Sequence, residues 1–150
     1  MKIYQCVKCG QICLSKIESD LHSSAFLGHG NWKVLQAIHL PLKSKWDDMI
    51  ESGEKKEEYR MLTRHWLKRL CYNWESGDRY VDCMSGVCCD NCLMNEYMAY
   101  PFDAIVFRYG YTKRFMVWSV ERISIGQGCT DWGAPKNKET FIIRLKERLL

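Results

Sequence analysis

No run in this 150-residue sequence approaches the roughly 18 apolar residues of a membrane span, so a soluble protein with no membrane partner is expected. The opening segment, MKIYQCVKCG, lacks the continuous apolar stretch of a secretory signal and carries two cysteines instead, which predicts a cytoplasmic chain. Internal repeats and low-complexity tracts are missing too. The connections between the last strand-like runs are too short to hold crossover helices, which excludes a doubly wound parallel sheet and the common nucleotide-binding folds built on it. There is little excess of one charge: a formal net charge of +4 and a pI near 8.5 permit an anionic partner without demanding one.

What is present is close to an average globular composition, 47% hydrophobic and 27% charged, at a length that suits a single core. Residues 1–31 have no long apolar periodicity and read as a loop-rich, cysteine-rich extension. From Trp32, the run VLQAIHLPL predicts a strand ending at Pro41. The segment after it, KWDDMIESG, has Trp46, Met49 and Ile50 at helical spacing, Ser44 to cap the start and Gly53 to stop it. A second helix is predicted over RMLTRHWLKRLCYNW, with Leu62, Trp66, Leu67 and Leu70 on one face. Residues 75–98 look like an inserted cysteine-rich lobe. PFDAIVFRYGY, RFMVWSVERISIG and ETFIIRLKERL then predict three strands of an antiparallel meander or barrel. The order argues for an α+β protein with helices packed on a curved antiparallel sheet.

Nine cysteines are many for a chain in reducing surroundings unless several bind metal. Cys6-Val-Lys-Cys9-Gly has the spacing of a zinc knuckle, in which two thiolates turn inward to one tetrahedral ion, and Cys89-Asp-Asn-Cys92 repeats it. Joining the two pairs gives a structural zinc site of four sulfurs: Cys6, Cys9, Cys89 and Cys92. Local sets remain open, one drawn from Cys83, Cys88, Cys89 and Cys92 and another from Cys6, Cys9, Cys13 and His22. Cys71 and Cys129 read as small buried hydrophobes.

On composition alone, EKKEEYR is a solvated charge run. Its position changes that reading. Gly53, Lys55, Glu58 and Arg60 follow a glycine-ended helix after a strand, in the pattern Gly, any residue, Lys, two residues, Glu, one residue, Arg. With HLPLKSKWDDMIESG before it, FDAIVFRYGYTKR and the closing run ETFIIRLKERL, the chain resembles the ASCH family of the PUA-like superfamily over about residues 32–72 and 100–150. The resemblance implies a small PUA-like β-barrel in an ASCH-like domain over residues 32–150; it does not account for residues 1–31 or the insertion, whose cysteine spacing is what predicts a zinc-binding loop lobe. It also implies a positively charged cleft for RNA or a nucleoside, lined by Lys55, Glu58 and Arg60. Tyr109 and Tyr111 would stack on an unpaired base, and Lys113 and Arg114 would extend the rim.

Some members of that family resemble amidohydrolases that release an acyl group from a modified cytidine, and others have been viewed as ribonucleases. In such an enzyme Lys55 and Glu121 would be the catalytic pair. The position at which those hydrolases carry Thr is Glu58 here, which shifts the expectation from catalyst to binder. A zinc-knuckle adaptor that meets a protein partner through the cysteine-rich lobe is the remaining alternative.

Overall fold

The computed structural model describes residues 1–71, 101–110 and 112–150. The predicted insertion, with Cys83, Cys88, Cys89 and Cys92, lies outside them, as does Tyr111. Among the described residues seven strands and three α-helices follow in the order β1 (Lys2–Cys6), β2 (Ile12–Cys13), α1 (Lys16–Ala25), β3 (Trp32–Leu42), α2 (Ser44–Glu51), β4 (Glu57–Met61), α3 (Arg64–Leu70), β5 (Ala104–Tyr109), β6 (Phe115–Gln127) and β7 (Glu139–Arg148). The α+β class is as the sequence predicts. Among the described residues no helix is long and apolar enough to cross a membrane.

Hydrogen bonding orders the strands β2-β1-β3-β5-β6-β7-β4. The arrangement corrects the expectation of a closed, antiparallel barrel in two respects. β3 and β5 are parallel, with Ala37 opposite Ala104 and Leu42 opposite Tyr109. The other edge of β3 is taken by β1, antiparallel over Trp32–Gln36, so the extension occupies the edge that closure would use. The extension is itself folded: β1 and β2 form a hairpin and α1 packs on both. β3 also runs past Pro41, which lies beyond the stretch covered by β1, where no ladder donor is needed on that side.

Contacts divide the chain into two units. Unit 1 comprises Met1–Glu51, Phe102–Val120 and Lys146–Leu150; unit 2 comprises Ser52–Pro101 and Glu121–Leu145. In unit 1, the alternation along β3 turns Leu35 and Ala37 to one face, where they join Ile3, Ile12, Ala104, Val106 and Val117 in a buried cluster. Ile38, Leu40 and Leu42 are buried on the other face, and Ile50 of α2, the helix packed on β5, is fully buried.

In unit 2, β4 pairs antiparallel with β7, and Leu67 and Leu70 bury one side of α3. The predicted second helix therefore begins at Arg64 rather than Arg60. Glu57–Met61 is spent on ladder bonds to β7, a tertiary pairing that overrides the helical spacing read from Leu62 onward. The loop after β6 packs closely on β4. A Cβ at Gly128 would collide with Cε1 of Tyr59 and come within 2.8 Å of the Ala134 Cβ. Gly128→Ala is therefore expected to cost about 1–3 kcal/mol through overpacking, read as a lowered midpoint in thermal or denaturant unfolding. A midpoint equal to wild type would contradict this packing.

Candidate metal centre and ionic clusters

The extension converges four ligand-bearing side chains. β1 delivers Cys6, buried, to the start of a tight turn in which the Cys6 N–H donates to the Gln11 carbonyl at 2.9 Å and the Gly10 N–H donates to the Cys6 carbonyl at 2.9 Å. Gly10 sits at φ 78°, a conformation that favours glycine, and this lets the turn carry Cys9 back beside Cys6. α1 starts in a variant of the capping box, in which the returning bond goes to the residue before the cap. Ser15 Oγ accepts from the Glu18 N–H at 3.2 Å, while the Glu18 carboxylate accepts from the Leu14 N–H at 2.7 Å. This sets the helix so that its last turn presents His22. Gly28, at φ 78°, then reverses the chain, and the His29 carbonyl accepts from Ser23 Oγ at 3.0 Å.

The ligand atoms of Cys6, Cys9, His22 and His29 all lie within 4.8 Å of one another. Cys6 Sγ is 3.6 Å from His29 Nδ1, Cys9 Sγ is 3.5 Å from His22 Nε2, and the two imidazole nitrogens are 2.9 Å apart. With metal–sulfur and metal–nitrogen bonds of about 2.3 and 2.05 Å at the tetrahedral angle, a sulfur–nitrogen edge is about 3.6 Å and a nitrogen–nitrogen edge about 3.3 Å. These two sulfur–nitrogen distances match that edge, the two imidazole nitrogens are a few tenths of an ångström too close, and the remaining pairs lie within 4.8 Å. The electrostatics suit a cation as well. Burial opposes the Cys6 thiolate, but the backbone N–H groups of Cys9 and Lys8, the Cys9 thiol and the Lys8 charge together hold the Cys6 thiol below its ordinary value. Burial, then Lys8 and His22, push His29 down, favouring the neutral ring that can ligate. Cys13, weighed as a local ligand, goes the other way: burial and the Glu18 charge raise it.

No family model, curated protein or solved structure matches the chain. The chemistry therefore rests on the residues themselves. Cys6 and Cys9 stand in the cluster as the sequence predicts. Their expected partners Cys89 and Cys92 lie outside the described residues, and the places beside them are taken by His22 and His29. The signal for these was the interval of twelve residues from Cys9 to His22, the spacing of a two-cysteine, two-histidine finger, although six residues rather than three to five separate the histidines.

In unit 2 the structure brings together Lys55, Glu58 and Arg60. Glu58, buried, accepts from Lys55 Nζ at 2.6 Å through one carboxylate oxygen and from Arg60 Nη1 through the other. Lys55 is itself 2% exposed, so this is a buried ionic cluster and not an open rim. Arg60 also lies over the Trp66 ring at 5.0 Å, as does Arg69, so Trp66 serves as a platform for guanidinium groups as well as a helix packing residue. Glu121 is exposed on β6; Arg144 pairs with Glu57 at 2.6 Å, and that hydrogen bond and charge, with a smaller contribution from Glu121, raise the Arg144 guanidinium above its ordinary value. Tyr109 belongs to unit 1. Its hydroxyl donates to Glu51 at 2.7 Å and its ring carries the Arg114 guanidinium at 4.1 Å.

Proposed function

We propose that this protein binds RNA or a nucleoside, that Lys55, Glu58 and Arg60 form the ligand site of an ASCH-like, PUA-related domain, and that a structural zinc ion holds its N-terminal module. The observation that carries the ligand site is the shared Glu58 carboxylate. It fixes Lys55 and Arg60 from opposite oxygens, and the Trp66 ring steadies the Arg60 guanidinium, the most exposed of the three, so the Arg60 donors are organised before a phosphate or base edge arrives, with Lys55 and Glu58 behind them. With its ammonium engaged by Glu58, Lys55 is placed to orient a ligand rather than to attack one, which favours binding over hydrolysis. For the metal, four protein ligands close the coordination shell and leave no position for a reacting water, the arrangement of a structural ion.

Anisotropy titration of a fluorescent single-stranded RNA over a series of salt concentrations tests the reading. Affinity is expected to fall as salt rises, and Arg60→Ala is expected to weaken binding and lower the slope of log affinity against log salt by about 0.7, the value for one phosphate contact on a single strand. Salt-independent binding, or an Arg60→Ala variant indistinguishable from wild type, would contradict it.

One observation favours the adaptor reading for the extension. Ile17, Leu21, Phe26 and Leu27 are 73%, 65%, 53% and 97% exposed on α1 and the turn that leaves it. Their neighbours Glu18 and Asp20 are acidic, which suits a protein surface better than a phosphate backbone.

A further inference from the structure

We propose that Arg114 and Arg148, gathered on the carboxylate of Glu51 beside Tyr109, form a subsite for one unpaired nucleotide of single-stranded RNA: the base stacks on the Arg114 guanidinium and the adjoining phosphate pairs with Arg148. The subsite rests on the RNA-binding reading above, and its residues are separate from Lys55, Glu58 and Arg60.

The geometry is built by a short, well-bonded turn. Tyr109 ends β5 and Arg114 begins the return, with the Tyr109 N–H donating to the Arg114 carbonyl at 3.2 Å. Thr112 Oγ1 donates to the Tyr109 carbonyl at 2.8 Å, and the Thr112 N–H reaches the same carbonyl at 2.9 Å. The turn lays the Arg114 guanidinium on the Tyr109 ring, 4.1 Å from its centroid. Glu51, at the end of α2, fixes the plane from the side: it accepts from Tyr109 Oη, from Arg114 Nη2 and, at 3.4 Å, from Arg148 Nη2. Burial and then Glu51 push the Tyr109 hydroxyl up to about 12, so it remains a donor across the physiological range.

Two guanidinium groups share the Glu51 carboxylate, and the Asp47 charge that also acts on Tyr109 is buried, so what the cluster shows to water is mainly its two cations. The Arg114 and Arg148 side chains are 58% and 43% exposed. Each guanidinium has five N–H donors, more than a single shared carboxylate can take. Arg114 thus offers water a rigid planar cation backed by an aromatic ring, the kind of surface on which unpaired bases stack in single-strand recognition. Lys113, exposed and next to Arg114 in the chain, adds charge beside it. The Tyr109 ring, expected from the sequence to stack on a base directly, is instead the support beneath the arginine that does so.

The test uses the full chain and a fluorescein-labelled oligouridylate of eight nucleotides. Arg114→Ala is expected to weaken binding about tenfold, within the range for loss of one stacked base. Arg114→Lys, which keeps the charge and the pairing with Glu51 but loses the plane, should weaken it nearly as much. Arg148→Ala should lower the salt slope by about 0.7. Wild-type affinity in Arg114→Lys would overturn the stacking role. Unchanged binding in both alanine variants would overturn the subsite while leaving RNA binding intact. No binding of the oligonucleotide by the wild type would overturn the subsite together with the reading on which it rests, and far-ultraviolet circular dichroism of each variant confirms that folding is not the cause of any loss.

Discussion

Treating the purified protein with a strong metal chelator is expected to melt α1, while β1 and β2 stay anchored through Ile3 and Ile12 in the core and the ladder to β3. The reason lies in what the helix does not bury. Of its ten residues only Ser19 is buried, while Ile17 and Leu21 are among the most exposed apolar side chains described. A helix of this length is marginal in water without tertiary packing. The capping box at Ser15 and Glu18 contributes about 1 kcal/mol, too little to hold it alone. What ties its last turn to β1 is the convergence of His22 with Cys6, Cys9 and His29, and in small modules of this kind the binding free energy of the metal is the folding free energy.

Cys6→Ser and His29→Ala are each expected to lose one equivalent of zinc in elemental analysis and to cost several kcal/mol, within the roughly 10–16 kcal/mol that structural zinc supplies to finger peptides. The same measurement separates the two ligand sets. If Cys89→Ser removes that equivalent and His22→Ala does not, the site is the four-sulfur set expected from the cysteine spacing. If both histidine variants remove it and Cys89→Ser does not, the finger set holds the ion. Unchanged zinc content in both Cys6→Ser and His29→Ala would sink the centre described here.

Periodicity made much of the scaffold legible. The apolar run from Val34 to Leu42, the Trp46, Met49 and Ile50 spacing of α2, and the β-branched stretches of β5, β6 and β7 all form the elements that their patterns predict. Pairing direction has no such signature, because a strand buried on both faces reads alike in a parallel or an antiparallel neighbourhood, and β3 beside β5 is that case. The Cys-x-x-Cys turn was equally plain, but its partners were not. His22 sits on a helix and His29 beyond a reversing glycine, and because six rather than three to five residues separate them, the finger interval from Cys9 does not by itself rank them above Cys89 and Cys92. Lys55 and Glu58 show the strongest divergence between composition and structure. A stretch with six charges in seven residues, EKKEEYR, reads as solvated, but pairing of β4 with β7 carries Glu58 into the interior, and Lys55 is buried with it.

That burial sets the second large effect. Glu58→Ala is expected to destabilise the protein by about 3–5 kcal/mol, since taking away the carboxylate strips its counter-charge from a Lys55 ammonium that is 2% exposed and from Arg60 beside it. The paired substitution Lys55→Met with Glu58→Leu should cost far less, because apolar groups of similar volume often replace a buried ion pair with little net change. Arg60 keeps its stacking on Trp66 and its bond from Nη1 to the Tyr59 carbonyl at 3.0 Å in that background. The contrast between the two variants separates architecture from recognition. A double variant that unfolds near the wild-type midpoint in urea but no longer binds RNA would show that the cluster is kept for its ligand, at a cost that the fold alone does not require. A double variant that binds as wild type would reduce Lys55 and Glu58 to a structural pair, leaving Arg60 and Trp66 as the part of the site that meets the nucleic acid. If Glu58→Ala alone unfolds at the wild-type midpoint, the buried ionic cluster itself is wrong.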